Sequence, residues 1–183
     1  VAVDSLAVLP FKDMAAVYGE NVNVRCALNG KTYTTGSISE GAEKFLTDQL
    51  FGLITNRRNF QLVPPAHTLG VISKLIQTHP STLSERDLLI DAGRTLGVDA
   101  VVAGHVYRFR ERAGRSYAVV HPASVTFDIH VVHVASGRTV WHFKFEETQQ
   151  SLDQNLLAIK TFFKRKGQWI TAWQMAAAGL EAA

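Results

Sequence analysis

Residues 4–11 read Asp-Ser-Leu-Ala-Val-Leu-Pro-Phe, and the four consecutive apolar positions Leu6 to Leu9 leave no polar face. A strand with that pattern has to be covered on both sides, as at the centre of a parallel sheet flanked by helices. Phe60-Gln61-Leu62-Val63, just before Pro64-Pro65, reads as a second short strand. Between the two, Ser37 and Glu40 have the spacing of a capping box. Ala42, Phe45, Leu46, Leu50, Leu53 and Ile54 then recur at helical spacing up to Arg57. A strand–helix–strand unit of this length makes its strands parallel neighbours. The first strand is therefore expected at the centre of the sheet, between the second strand and the third.

The rest of the chain extends that frame. Val22, Val24, Cys26 and Leu28 alternate with polar or small residues before Asn29-Gly30, which predicts a hairpin over 22–35 with a type I′ turn. Leu69, Ile72, Leu75 and Ile76 predict a short helix. Ser84 caps another, with Leu88, Leu89, Ala92 and Leu96 on its buried stripe and Gly97 as its stop. Val98 to Phe109 begins all-apolar and turns polar at Arg108, so its end is expected to be exposed. A turn at Ala113-Gly114 should lead into long alternating strands over 116–134 and 139–147, joined at Ala135-Ser136-Gly137. Ser151 and Gln154 suggest a further cap, and Trp169, Ala172, Trp173, Ala176 and Leu180 form a C-terminal helical stripe. The expected fold class is α/β (α+β): a mixed sheet of about five strands with a parallel β-α-β start and an antiparallel meander. Helices flank it, including a C-terminal helical segment over 151–183. No repeat or low-complexity linker breaks the 183 residues, which are expected to form a single domain.

Composition removes several function classes. No apolar run approaches the ~18–20 residues of a membrane-spanning helix. Nineteen Lys and Arg against sixteen Asp and Glu give a net charge of +3, scattered along the chain. A nucleic-acid partner, which would want a dense basic stripe, is therefore not expected. A single cysteine, Cys26, excludes an internal disulfide and a cysteine-rich zinc site. Neither phosphate-binding glycine loop is written in the sequence, and no GxSxG nucleophile elbow occurs. No enzyme, cofactor or metal is expected.

Histidine is the residue type that comes nearest to chemistry. Asp128 and His130 share one face of their strand by period two, whereas His133 points the other way. If His142 on the next strand faces them, the three make a two-histidine, one-carboxylate set. The plainer reading is a half-exposed polar sheet face on which such residues sit because they are wet, and zinc titration should then find no tight site there. A partner surface is a separate question. Aromatics with adjacent cations are enriched at interfaces, which singles out Arg25 and Tyr33 on the hairpin and Trp169 and Trp173 on the C-terminal stripe, near Lys164-Arg165-Lys166, although the helical stripe makes core packing the plainer role for the two tryptophans. The fold does not require the hairpin, so replacing 22–34 by a Gly-Ser loop is expected to leave thermal stability nearly unchanged.

Ser5 to Phe11, the helix carrying Phe45-Leu46 and Leu50, the strand at 60–63, and above all Ala92 to Val106 (AGRTLGVDAVVAGHV) resemble the periplasmic lipoprotein superfamily. That superfamily includes the curli-secretion lipoprotein CsgG, the penicillin-binding-protein activator LpoB and the TolB amino-terminal domain. The resemblance covers roughly residues 3–147. It implies a non-enzymatic bacterial cell-envelope lipoprotein domain that binds envelope proteins in assembly or regulation, with room for self-association. The implied location is periplasmic, tethered to the outer membrane through a lipidated cysteine upstream of this chain, a place that Cys26 cannot fill. The short, unmatched hairpins argue against a membrane pore, whose strands each need ~9–11 residues. The alternative expectation is a periplasmic small-ligand or metal-binding domain using the crevice at the carboxyl ends of the parallel strands, near Phe11-Lys12-Asp13 and Pro64-Pro65.

Overall fold

The computed structural model describes residues 2–57, 60–78, 83–115, 118–149 and 170–183, with the backbone alone described at 114–115 and 118–119. Its sheet is mixed. The strands are β1 (Ser5–Val8), β2 (Lys12–Asp13), β3 (Asn23–Arg25), β4 (Thr32–Thr34), β5 (Gln61–Val63), β6 (Ala100–Arg110), β7 (Ala113–Arg115), β8 (Ala118–His121), β9 (Ser124–His133) and β10 (Thr139–Thr148). The helices are α1 (Met14–Tyr18), α2 (Ala42–Asn56), α3 (Pro65–Thr78), α4 (Glu85–Leu96) and α5 (Ala172–Glu181). The main sheet runs β10-β9-β6-β1-β5, with β2 also paired to β6. β1 lies parallel to β5 and β6, and β6, β9 and β10 are antiparallel. The expected central place of the first strand is thus the observed one, because Leu6, Ala7 and Val8 have to be covered on both faces.

Two layers cover the two faces. On one, α2 and α5 bury Leu46, Leu50, Met175, Ala176 and Leu180 against Val102, Val106, Phe109, Val125, Phe127 and Ile129. On the other, α4 and the β3-β4 hairpin bury Leu89, Ala92, Val24, Leu28 and Tyr33 against Val101, Ala103, Tyr107 and Val132. Past β1 the chain stays alongside β6, where Lys12 of β2 pairs with His105, next to Gly104. A Cβ there would lie 2.6 Å from the Phe11 ring, so the glycine lets Phe11 sink into the sheet. That ring is buried just past the carboxyl end of β1, edge-on to Phe127 at 6.0 Å.

Several local expectations need correction. The capping box Ser37/Glu40 does not start α2. Its N-cap is Gly41, and Ser37 and Ser39 bond instead to the backbone of Phe109, running beside β6. The hairpin loop spans four residues, since the Cys26 amide bonds to Lys31 O. Gly30 alone adopts positive φ, which replaces the two-residue type I′ turn. Residues 113–115 and 118–121 pair with each other as β7 and β8 in a sheet of their own, and the long strand begins only at Ser124, after Pro122. β6 stays covered as far as Phe109: Tyr107 and Phe109 are both fully buried, and Arg108 and Arg110 are half-buried. The reason is the hairpin on one face and the helical layer on the other. The hairpin is accordingly core, contrary to its expected dispensability. Ser84 and Gly97 bound α4 as expected, Gly97 in the left-handed region at φ 67°. The Ser151/Gln154 cap, Lys164-Arg165-Lys166 and Trp169 lie outside the described residues. Thr171 and Gln174 form the capping box of α5.

Candidate functional site

Between the sheet and the β3-β4 hairpin lies a cluster of ionisable side chains. Period two places His105 and Tyr107 of β6, and Asp128 and His130 of β9, on the same sheet face, with His105 paired to Asp128 in register. An irregularity between Val106 and Arg108 lets Tyr107 and Arg108 both face that side, where Arg108 bonds to the hydroxyls of Ser124 and Thr126. From the hairpin above, Cys26 closes the group at the first position after β3. All four of Cys26, His105, Asp128 and His130 are at most 1% exposed. The expected wet polar face is therefore overturned, because α4 and the hairpin cover it.

The distances are those of a continuous network. Asp128 Oδ1 lies 2.8 Å from His105 Nδ1, and Asp128 Oδ2 lies 2.9 Å from His130 Nε2. The Tyr107 hydroxyl donates to Asp128 Oδ2 at 3.2 Å. Cys26 Sγ stands 3.6 Å from His130 Nε2 and 4.0 Å from His105 Nδ1. On its far side, His105 Nε2 meets Glu85 Oε1 at 2.9 Å, from the first residue of α4, and Lys12 Nζ approaches the same oxygen at 3.8 Å.

Burial and pairing act against each other on every group. Burial opposes protonation of His105 and His130, yet hydrogen bonds to Asp128 and Cys26, with Glu85 on His105, raise both above the usual imidazole range. Burial would keep Asp128 and Glu85 protonated, but their histidine partners hold both carboxyls below the ordinary value. The Cys26 thiol is likewise pushed up by burial, and the two imidazoles bring it down to about 6. With carboxylates at both ring nitrogens, His105 donates through both. The cluster shares its protons as a unit, and its donor atoms are of the types that hold transition metals.

The structure redraws the predicted set. His142 does pair with His130 across β9 and β10, facing the same side as strand periodicity requires. Its ring stacks on His130 at 6.3 Å but stays exposed, and its Nε2 lies 3.4 Å from Lys31 Nζ. Cys26 and His105 take its place. The sequence signal for His105 was a histidine on a strand of the same meander as Asp128 and His130; nothing local marked Cys26, 79 residues away. The predicted partner residues separate as well. Tyr33 is 3% exposed and stacks on Tyr107 at 4.2 Å, so it is core rather than surface, because the hairpin turns its apolar side inward. Arg25 is exposed and bonds to Gly30 O, closing its own loop. Trp173 is half-buried between Phe45 and Phe109.

On the opposite face, a groove of about 340 Å³ opens among Leu50, Leu53, Ile129, Val131, Trp141 and Leu180, with Phe60, Val140 and Trp141 exposed at its rim. Among the described residues β10 pairs only with β9, which leaves its other edge unpaired. No described helix is long and apolar enough to cross a membrane.

Fold and site together define a mixed α/β domain with a buried cysteine–histidine–aspartate cluster on one sheet face and an apolar groove on the other. No protein-family model and no curated protein matches the chain. Among solved structures it is similar to the hypothetical protein CT253 from Chlamydia trachomatis, at 11% identity and TM-score 0.50 over 99% of this chain and 93% of that one. It is also similar to lipoprotein GNA1162 from Neisseria meningitidis, at 12% identity and TM-score 0.46 over 90% and 99%. The LpoB C-terminal domain from Escherichia coli aligns at 16% identity and TM-score 0.44 over 81% and 86%. At such identities the likeness is one of fold alone.

Proposed function

We propose that this chain is a non-enzymatic binding domain of the bacterial cell envelope, periplasmic and tethered by an upstream lipid anchor, that holds an extended segment of a protein partner. The observation that carries the reading is the edge of β10 that no described residue pairs with, beside the apolar groove rimmed by Phe60, Val140 and Trp141. An added strand gains main-chain hydrogen bonds along such an edge, while alternate side chains enter the neighbouring pocket. The groove's volume suits a few aliphatic side chains rather than a dinucleotide-sized cofactor. Lys144, Glu146 and Glu147 on the distal part of β10 discourage indiscriminate pairing and confine the apolar contact to the end near Trp141. The envelope placement rests on the sequence resemblance over Ser5–Phe11 and Ala92–Val106.

The test is a photo-crosslinking residue at position 141 in intact cells. A discrete protein adduct, lost on Val140→Asp and absent when the probe sits at exposed Thr32 on the opposite face, supports the reading. Lipid adducts alone, or none, overturn it. The placement is checked separately on the precursor, which should carry a signal peptide ending in a lipidated cysteine.

A further inference from the structure

We propose that Cys26, His105, Asp128 and His130 form a closed, four-coordinate site for a divalent ion of the zinc class, held by Sγ, Nδ1, a carboxylate oxygen and Nε2. The four donor atoms all lie within 4.8 Å of one another, on residues contributed by the hairpin, β6 and β9. Zinc bonds of about 2.0–2.3 Å space the corners of a tetrahedron about 3.3–3.6 Å apart. His105 Nδ1 and His130 Nε2 lie 2.8 and 2.9 Å from different oxygens of Asp128, and Cys26 Sγ lies 3.6 Å from His130 Nε2 and 4.0 Å from His105 Nδ1, so shifts of about 1 Å bring one carboxylate oxygen and the other three donors to that spacing around one ion.

Three features separate this arrangement from a chance knot of buried polar groups. The outer nitrogen of His105 meets the Glu85 carboxylate at 2.9 Å, the orienting contact that metal-bound histidines almost always make. The Tyr107 hydroxyl orients Asp128 in the same way. The second feature is charge. A thiolate and an aspartate neutralise a divalent ion, and Glu85 remains balanced by Lys12, so the buried site carries no net charge. The third is His130 Nδ1, which is buried with no hydrogen-bond partner. An imidazolium would leave a charged N–H unpaired there, whereas an imidazole bound through Nε2 leaves only a neutral one. On binding, the proton on His105 Nδ1 and any on Cys26 pass to solvent, while the Nε2–H donated to Glu85 stays in place. Four protein ligands leave no open position, so the ion's role is structural: it pins the hairpin to the sheet. This set replaces Asp128, His130 and His142, and it goes against the expectation that no metal binds.

The purified chain, stripped of metal, is titrated with Co²⁺ and then with Zn²⁺. The expected result is saturation at one ion per chain, with a thiolate-to-cobalt charge-transfer band and the intense visible bands of a tetrahedral ion, both abolished by Zn²⁺. Cys26→Ser should lose the charge-transfer band. Glu85→Gln, which touches no ion, should weaken binding on the order of 10–100-fold, and His142→Ala should leave it unchanged. The wild-type titration stands whether or not any variant folds. Absence of saturable 1:1 binding to the folded wild type overturns the proposal, as does a charge-transfer band that persists in Cys26→Ser.

Discussion

The Ser5 hydroxyl donates to Asp99 Oδ2 at 2.8 Å and accepts from the Asp99 amide at 2.9 Å, so one side-chain pair fixes how β1 enters beside β6. The amides of Asp4 and Ser5 donate to the same carboxylate oxygen, and these bonds hold the Asp99 carboxyl below its ordinary value. A depressed carboxyl contributes stability that is present above the unfolded value of about 3.9 and is lost as pH falls through the folded one. Asp99→Asn should therefore lower the denaturant midpoint at pH 7 and flatten its decline below about pH 4. Parallel acid limbs in wild type and variant would show that Asp99 contributes nothing.

The Tyr33–Tyr107 stack makes the hairpin a structural lid. Tyr33→Ala is expected to cost about 3 kcal/mol or more, the scale of emptying a buried aromatic site. Tyr33→Phe, which drops the bond from Asn29 Nδ2, should cost about 1 kcal/mol. Equilibrium denaturation distinguishes the two. A Gly-Ser replacement of 22–34 should abolish cooperative unfolding, since it removes the cover of Asp128 and His130.

Gly104→Ala places a Cβ against the Phe11 ring in a sheet too well packed to yield. The expected loss is about 1–3 kcal/mol. In a double-mutant cycle, Phe11→Leu should recover part of it; purely additive losses would show that the two positions do not meet.

Arg86 on α4 ties three parts together, donating to Leu28 O in the hairpin and to Gly137 O and Thr139 Oγ1 at the β9–β10 connection. Arg86→Ala should cost about 1.5–3 kcal/mol, as for other hydrogen bonds to a charged group. Hydrogen exchange should quicken at the Gly30 and Gly137 amides, whereas those of Leu6 to Val8 stay among the slowest. Uniform acceleration across the chain would indicate global destabilisation instead.

Short-range periodicity was legible along the chain without any tertiary information. Leu6 to Leu9 demanded a central strand, Ser84 and Gly97 bounded α4, and the alternation along 124–133 set Asp128 and His130 on one face. Those follow because side-chain direction in a strand or helix depends only on residue number. Tertiary structure decided what covers each face. The apolar side of the hairpin read equally well as an exposed binding surface, and only its docking on Tyr107 buried Tyr33 and carried Cys26 to within 4.0 Å of His105. Likewise Ser37 and Glu40 satisfied the capping pattern, yet Ser37 and Ser39 found better partners in the backbone of Phe109, far along the chain. His142 kept its predicted face and still fell outside the cluster, exposed on the outer side of the His130 ring and beside Lys31. Burial, and with it the charge and donor geometry of the site, depends on which distant segment closes over a face, and no local pattern encodes that.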